Sequence, residues 1–287
     1  MPARPSGRSS SQSRTAFQHL QEQIKYVDLV IEVLDARAPL SSRHPRSREI
    51  FSNKPRLLVI TKEDLGDPHK VRSWVAYFNN ESDARHSHAF ALSLKTQRYK
   101  DKIFQLALEM TKDKREQLAA KGLLPRPIRI CVVGMPNVGK SSLINWLIGQ
   151  KKAKTGNKPG ITKGAQWVRV HPQIELLDTP GIMPAFSFAA AVARRLALFN
   201  LLPEAVYDIE EIAQDGFEQM KAQYPQLVQK YIYEKAETLS LEELARRRNF
   251  LTIGGNLDLV RAANVFVSDL RNGKLGRVTL DQSDSSL

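Results

Sequence analysis

The chain has 287 residues, 42% of them hydrophobic, with 43 Lys and Arg against 30 Asp and Glu, a formal net charge of +13 and a pI near 9.8. That length allows one full α/β domain plus a smaller one, and the basic excess points to a polyanionic partner, because clustered cations release counterions when they neutralise phosphates. No apolar stretch approaches the roughly 18–20 residues that span a bilayer, and one cysteine, Cys131, rules out a disulfide within the chain, so a reducing cytoplasm and no membrane partner are expected.

Met1 to Arg14 is rich in Arg and Ser with no acid, and residues 1–16 read as a basic disordered tail. Val27 to Leu34 is a short, mostly apolar run closed by Asp35-Ala-Arg-Ala-Pro39, the pattern of a buried parallel strand leading into a loop. Val71 to Phe78 and Ile103 to Lys121 read as helices, Leu57 to Ile60 and Ala89 to Leu94 as strands. Ile128 to Val133 is another strand, with Cys131 as a small buried hydrophobe, and Ser142 to Ile148 begins a helix. Gln166 to Val170 and Ile174 to Leu177 complete the strands. Their alternation with helices predicts a parallel sheet covered on both faces, an α/β domain over 17–188.

After about residue 190 helical periodicity takes over, and 189–287 is expected to be a small all-α domain. Leu259, Ala262, Ala263, Phe266 and Leu270 share one helical face, Gly273 is placed to end that helix, and Ser240 with Glu243 makes a capping box. Residues 190–287 hold 12 Lys and Arg against 14 Asp and Glu, so the basic surplus lies in the first two thirds. Within it Lys151, Lys152, Lys154, Lys158, Lys163 and Arg169 have no acid among them, either a solvated face or an RNA contact.

Gly134-Met-Pro-Asn-Val-Gly-Lys-Ser141 has the G-x-x-x-x-G-K-S spacing between a strand and a helix. Its glycines let backbone N–H groups wrap phosphates, Lys140 reaches the β and γ oxygens, and Ser141 is a Mg²⁺ ligand. Asn137, Val138, Gly139, Lys140, Ser141 and Ser142 are therefore expected to bind the nucleotide, helped by the helix N-terminus. Downstream, Asp178-Thr-Pro-Gly181 ends a strand, where Asp178 can hold Mg²⁺ through water and the Gly181 N–H can sense the γ-phosphate. Thr162, in Pro159-Gly-Ile-Thr162, lies where a switch threonine must be to reach Mg²⁺ and the γ-phosphate.

The base-reading motif, Thr61-Lys62-Glu63-Asp64, comes more than seventy residues before the phosphate loop, whereas a linearly ordered GTPase has it after. The Asp64 carboxylate can accept from N1–H and N2–H₂ of guanine, an arrangement adenine lacks, so GTP is favoured over ATP. Lys62 would lay its stem along the base, and Thr61 stands where Asn is usual. Ser93-Leu94-Lys95 follows a strand, which lets the Leu94 N–H meet guanine O6. Ile182 occupies the place where many GTPases carry a water-orienting Gln. Hydrolysis then needs another group, a partner or a monovalent cation, with Asn137 placed to help hold K⁺; Thr162, Asn137 and Lys140 are the expected catalytic residues.

The order T-K-E-D, S-L-K, G-M-P-N-V-G-K-S-S, P-G-I-T, D-T-P-G resembles the circularly permuted ribosome-assembly GTPases of the YlqF and RbgA type. The resemblance runs from about residue 17 to 280 and includes V-D-L-V-I-E-V-L-D-A-R-A-P-L-S-S-R from Val27 and K-T-G-N-K-P-G-I-T from Lys154. It implies a permuted P-loop GTPase domain with a C-terminal helical, RNA-binding module. It also implies a cytoplasmic protein, expected to be monomeric, that binds ribosomal RNA in its GTP state and acts late on the large ribosomal subunit precursor. Members usually open with F-P-G-H-M, whose histidine is implicated in hydrolysis. Met1 to Arg14 has no such segment, and His19, the first histidine, falls in an expected helix. An assembly placeholder with negligible hydrolysis is the competing expectation.

Overall fold

The computed structural model describes residues 22, 24–51, 53–81, 87–96, 98–124, 126–149, 167–177, 188–232 and 240–282. They fall into two compact units, Met1–Leu34, Arg43–Thr61 and Val75–Ser187 in the first, and Asp35–Ser42, Lys62–Trp74 and Phe188–Leu287 in the second. The second unit thus includes the loops that follow the first two strands.

Strands β1 (Leu29–Asp35), β2 (Arg56–Thr61), β3 (Ser87–Ala91), β4 (Ile128–Gly134), β5 (Trp167–His171) and β6 (Ile174–Leu177), which belong to the first unit except for Asp35, form one sheet in the order β3-β2-β1-β4-β6-β5. β1 runs parallel to β4, β2 to β3 and β4 to β6, while β5 is antiparallel to β6. β1 and β2 are buried at every position, as near-continuous apolar runs should be when both faces are covered. Glu32 breaks the run, fully buried in the middle of β1. Burial pushes its carboxyl above the usual range, and the Arg43 guanidinium lies 3.6 Å away. Arg43 itself grips both oxygens of Glu81 at 2.8 and 2.9 Å.

Helices α1 (Ser47–Ile50), α2 (Pro68–Asn80), α3 (Lys100–Met110), α4 (Lys112–Ala120) and α5 (Lys140–Ile148) connect or follow these strands. The single helix expected over Ile103 to Lys121 is two. They part at Thr111, whose φ is -110° and ψ 7°, and whose hydroxyl donates to the Ala107 carbonyl at 2.8 Å, competing with the helical ladder. β3 stops at Ala91 rather than Leu94, since Ser93 O accepts from Thr96 N at 3.3 Å and turns the chain. Cys131 is buried as expected, and burial pushes its thiol up to about 12.

In the second unit, α6 (Ala190–Leu198), α7 (Ile209–Gln223), α8 (Pro225–Ile232), α9 (Leu241–Arg247) and α10 (Leu259–Arg271) follow in turn. The face expected on α10 is the buried one: Ala262, Ala263, Phe266 and Leu270 are inside, with Phe266 5.2 Å from the Phe217 ring of α7. Gly273 takes a φ of +75° just beyond the helix, and its N–H donates to Leu270 O, the left-handed termination that glycine permits. Half of the expected capping box forms. Ser240 Oγ accepts from Glu243 N at 3.2 Å, but the Glu243 carboxylate is taken by Arg246 and Arg247. Among the described residues no helix is long and apolar enough to cross a membrane.

Candidate functional site

The phosphate loop begins where β4 ends, against β1. A Cβ on Gly134, whose φ is +150°, would sit 2.6 Å from the Val33 carbonyl, so only glycine lets the two strands approach there. Asn137 and Gly139 also take left-handed conformations, with φ of +57° and +106°. These turns bring the chain round so that Gly139 caps α5 with no side-chain bond, leaving the first-turn N–H groups without intrahelical partners. Such a terminus attracts anions. Lys140 folds back over the loop, its Nζ donating to Met135 O at 2.6 Å, and burial lowers its pKa from the ordinary lysine value. Ser141 and Ser142 are exposed on the first turn of α5.

Two side chains tie the loop and the helix after it to neighbouring segments of the same unit. Thr61, at the end of β2 and fully buried, has its hydroxyl 2.5 Å from the Val138 carbonyl and 3.0 Å from that of Leu34. A threonine in the first position of the T-K-E-D motif thus serves the loop rather than the solvent side. Trp146 of α5 donates its indole N–H to Thr96 O at 3.0 Å and so tethers the turn that carries Ser93 and Leu94. That turn is closed by Lys95 N on Ser93 Oγ at 3.3 Å. Trp146 lies outside the G-x-x-x-x-G-K-S motif and carries no signature of its own in the sequence.

In the second unit, Lys62 is left-handed, with φ +57°, and its ammonium lies 2.8 Å from Asp35 Oδ2. Asp35 is buried and also receives Arg37 Nε at 2.9 Å and Nη2 at 2.7 Å. Burial alone would raise this carboxyl, but the Arg37 and Lys62 charges outweigh it and hold it well below the usual carboxylate range. Asp64 follows Lys62 by two residues and is half-buried. The sequence marked Asp35 and Arg37 only as the close of a strand. An acid and an Arg two residues apart at the mouth of a buried strand is the signal that points to this pair.

Thr162, the expected switch threonine, the D-T-P-G residues Asp178 and Gly181, Ile182, His19 and the lysines from Lys151 to Lys163 lie outside the described residues. Of the expected Mg²⁺ donors Ser141 is the one described. A hydroxyl on an exposed first helical turn, beside a lysine, with a carboxylate and a second hydroxyl supplied in sequence, is a hard oxygen set of the kind Mg²⁺ takes.

The family model described as 50S ribosome-binding GTPase matches residues 129–236. A ribosome biogenesis GTPase A from Bacillus cereus is 36% identical over 271 residues, covering 93% of this chain and 90% of the relative. The chain belongs to the ribosome biogenesis GTPase A family. A member from Thermotoga maritima is 28% identical over 269 residues, 94% of this chain and 91% of its own. Among solved structures, GNP-bound YlqF from T. maritima superposes with a TM-score of 0.67 at 26% identity, covering 94% of this chain and 99% of the other. The GDP-bound form gives 0.68 at the same identity, covering 93% and 100%. The ribosome biogenesis GTPase A fold, a mostly parallel GTPase sheet followed by several helices, is the expected one, and the protein is a GTPase.

Proposed function

We propose that this GTPase acts on a late precursor of the large ribosomal subunit and binds ribosomal RNA in its GTP state. The observation that carries the site reading is the Thr61 to Val138 hydrogen bond, which joins the motif strand β2 to the phosphate loop. The family description, ribosome-binding, and the one-signed cationic run at residues 150–174 support the RNA partner. Residues 189–287 would then be the RNA-binding module and 17–188 the GTPase domain, working in the cytoplasm.

In this reading Asp64 accepts from N1–H and N2–H₂ of guanine, Lys62 underlies the base, and the Leu94 N–H beside Ser93 meets O6. The N–H groups from Asn137 to Ser142 hold the phosphates, and Lys140 leaves Met135 O for the β and γ oxygens. Ser141, Thr162 and, through water, Asp178 would hold Mg²⁺, which neutralises charge spread over the β and γ oxygens. Gly181 N–H faces the γ-phosphate. Because the Ile182 side chain offers no polar atom, the chain's own groups bind and orient the triphosphate while water positioning comes from elsewhere: K⁺ beside Asn137, or the particle.

Multiple-turnover GTP hydrolysis, with and without large-subunit precursor particles, tests this, together with co-sedimentation in a non-hydrolysable GTP analogue or GDP. Slow turnover by the free protein, strong stimulation, and particle binding that prefers the analogue are expected. Association that ignores the nucleotide would overturn the GTP-state reading, and turnover that the particle leaves unchanged would favour the placeholder.

A further inference from the structure

The segment from Arg277 to Asp281 follows the last helix without regular secondary structure, and Val278 to Asp281 are buried. It pairs with the two loops that share its unit. Val278 N donates to Leu65 O at 2.9 Å and Leu280 N to Arg37 O at 2.8 Å, alternate residues as in a strand. Between them the Thr279 hydroxyl donates to Ala36 O at 2.8 Å and accepts from Asp67 N at 3.1 Å. Arg277, itself exposed, donates from Nε to Gly66 O at 2.8 Å and from Nη2 to Glu63 O at 2.7 Å. Three carbonyls around Asp64, those of Glu63, Leu65 and Gly66, are thus held by two consecutive residues near the end of the chain.

The turn is also closed by its own backbone. Leu65 N on Lys62 O at 2.8 Å and Gly66 N on Glu63 O at 3.2 Å close it locally, after a left-handed Lys62. Gly66 is packed so closely that a Cβ would lie 2.8 Å from Ala36 Cβ. A carboxylate that must meet two donors of a planar base tolerates little tilt, and the guanidinium fork spanning the carbonyls at either side of Asp64 resists that tilt.

We infer that Arg277 is a positioning residue for guanine selection, holding the turn that aims Asp64; the inference rests on Asp64 being the base selector. The chain's C-terminal segment is then part of the machinery that distinguishes guanine, although it lies 214 residues from Glu63 in sequence.

The test compares affinities for GTP and inosine triphosphate, which differ by the 2-amino group alone. Wild type should prefer GTP about ten- to a hundredfold, the range of one hydrogen bond to a charged acceptor. Arg277→Ala should cut that preference by about fivefold or more, and Arg277→Lys, which reaches one carbonyl at a time, should recover part of it. A substitution that merely loosens the fold would lower both affinities equally and leave the ratio at its wild-type value. That result, with Asp64→Asn losing the preference in the same assay, overturns the positioning role. If Asp64→Asn itself keeps the preference, the base-selector reading fails first, and the inference with it.

Discussion

Replacing Thr61 by valine exchanges one buried hydroxyl for a methyl of nearly the same size, and the structure gives the consequence. The hydroxyl oxygen lies 2.5 Å from Val138 O and 3.0 Å from Leu34 O. A methyl carbon settles no closer than about 3.3–3.6 Å from a carbonyl oxygen, so the Val138 carbonyl must retreat by roughly 1 Å. It also loses its donor in a fully buried place, which costs about 1–3 kcal/mol. Val138 is followed by Gly139 and the first turn of α5, so the displacement reaches the N–H groups expected to hold the phosphates. Nucleotide titration should show GTP affinity falling about tenfold or more, and the melting temperature should drop by about 2–4 °C per kcal/mol lost. Thr61→Ser, which keeps the hydroxyl, should bind GTP close to wild type. A Thr61→Val protein with wild-type affinity would show that this hydrogen bond does not position the loop.

The Asp35 carboxyl, held below its ordinary pKa, stabilises the fold fully above the unfolded value of about 3.9 and loses that contribution as pH falls further through the folded value. Asp35→Asn, which takes the buried carboxylate from Arg37 and Lys62, should therefore unfold about 3–5 kcal/mol more easily at pH 7, and denaturant titrations should find the gap closing below about pH 4. A gap that stays constant with pH would remove the charge from the account. Replacing Lys151, Lys152 and Lys154 by Gln should flatten the salt dependence of particle binding by about 0.7–0.9 log units per lost phosphate contact while leaving GTP affinity unchanged; an unaltered slope marks a solvated face. Hydrolysis should run faster in K⁺ than in Na⁺, and Asn137→Ala should abolish the difference. Equal rates in the two salts would remove the cation from the mechanism.

What was legible in the sequence was whatever a short window decides. Buried strands declare themselves as apolar runs, so β1, β2 and β4 lie within a residue or two of their expected bounds, and Gly134 and Gly139 of the loop between β4 and α5 take positive φ. Local competition was harder to read. Thr111 breaks a helix that periodicity alone would continue, and Glu243 has two arginines one turn on that draw its carboxylate from the cap. Partners distant in sequence left no local signature at all. Nothing around Thr61 names Val138, nothing around Trp146 names Thr96, and Glu32 reads as an interruption until Arg43 is seen beside it.

The same distinction explains why the permuted order of motifs is physically harmless. Each motif needs only the C-terminal end of its own strand, because that is where parallel strands present their loops and where the next helix begins. Which strand is synthesised first does not enter. What must survive is adjacency, and the sheet preserves it: β4, fourth in the chain, pairs with β1, setting Gly134 opposite Val33 in register. The connection through residues 121–127 carries the chain from α4 into β4 and so makes the new order possible, at a loop-closure cost that grows only slowly with length. The permutation also leaves the Thr61–Asp64 segment with no sequence neighbour among the helices that follow the phosphate loop. Contacts such as Arg277 with Glu63 and Gly66 supply by packing the continuity that chain order no longer provides.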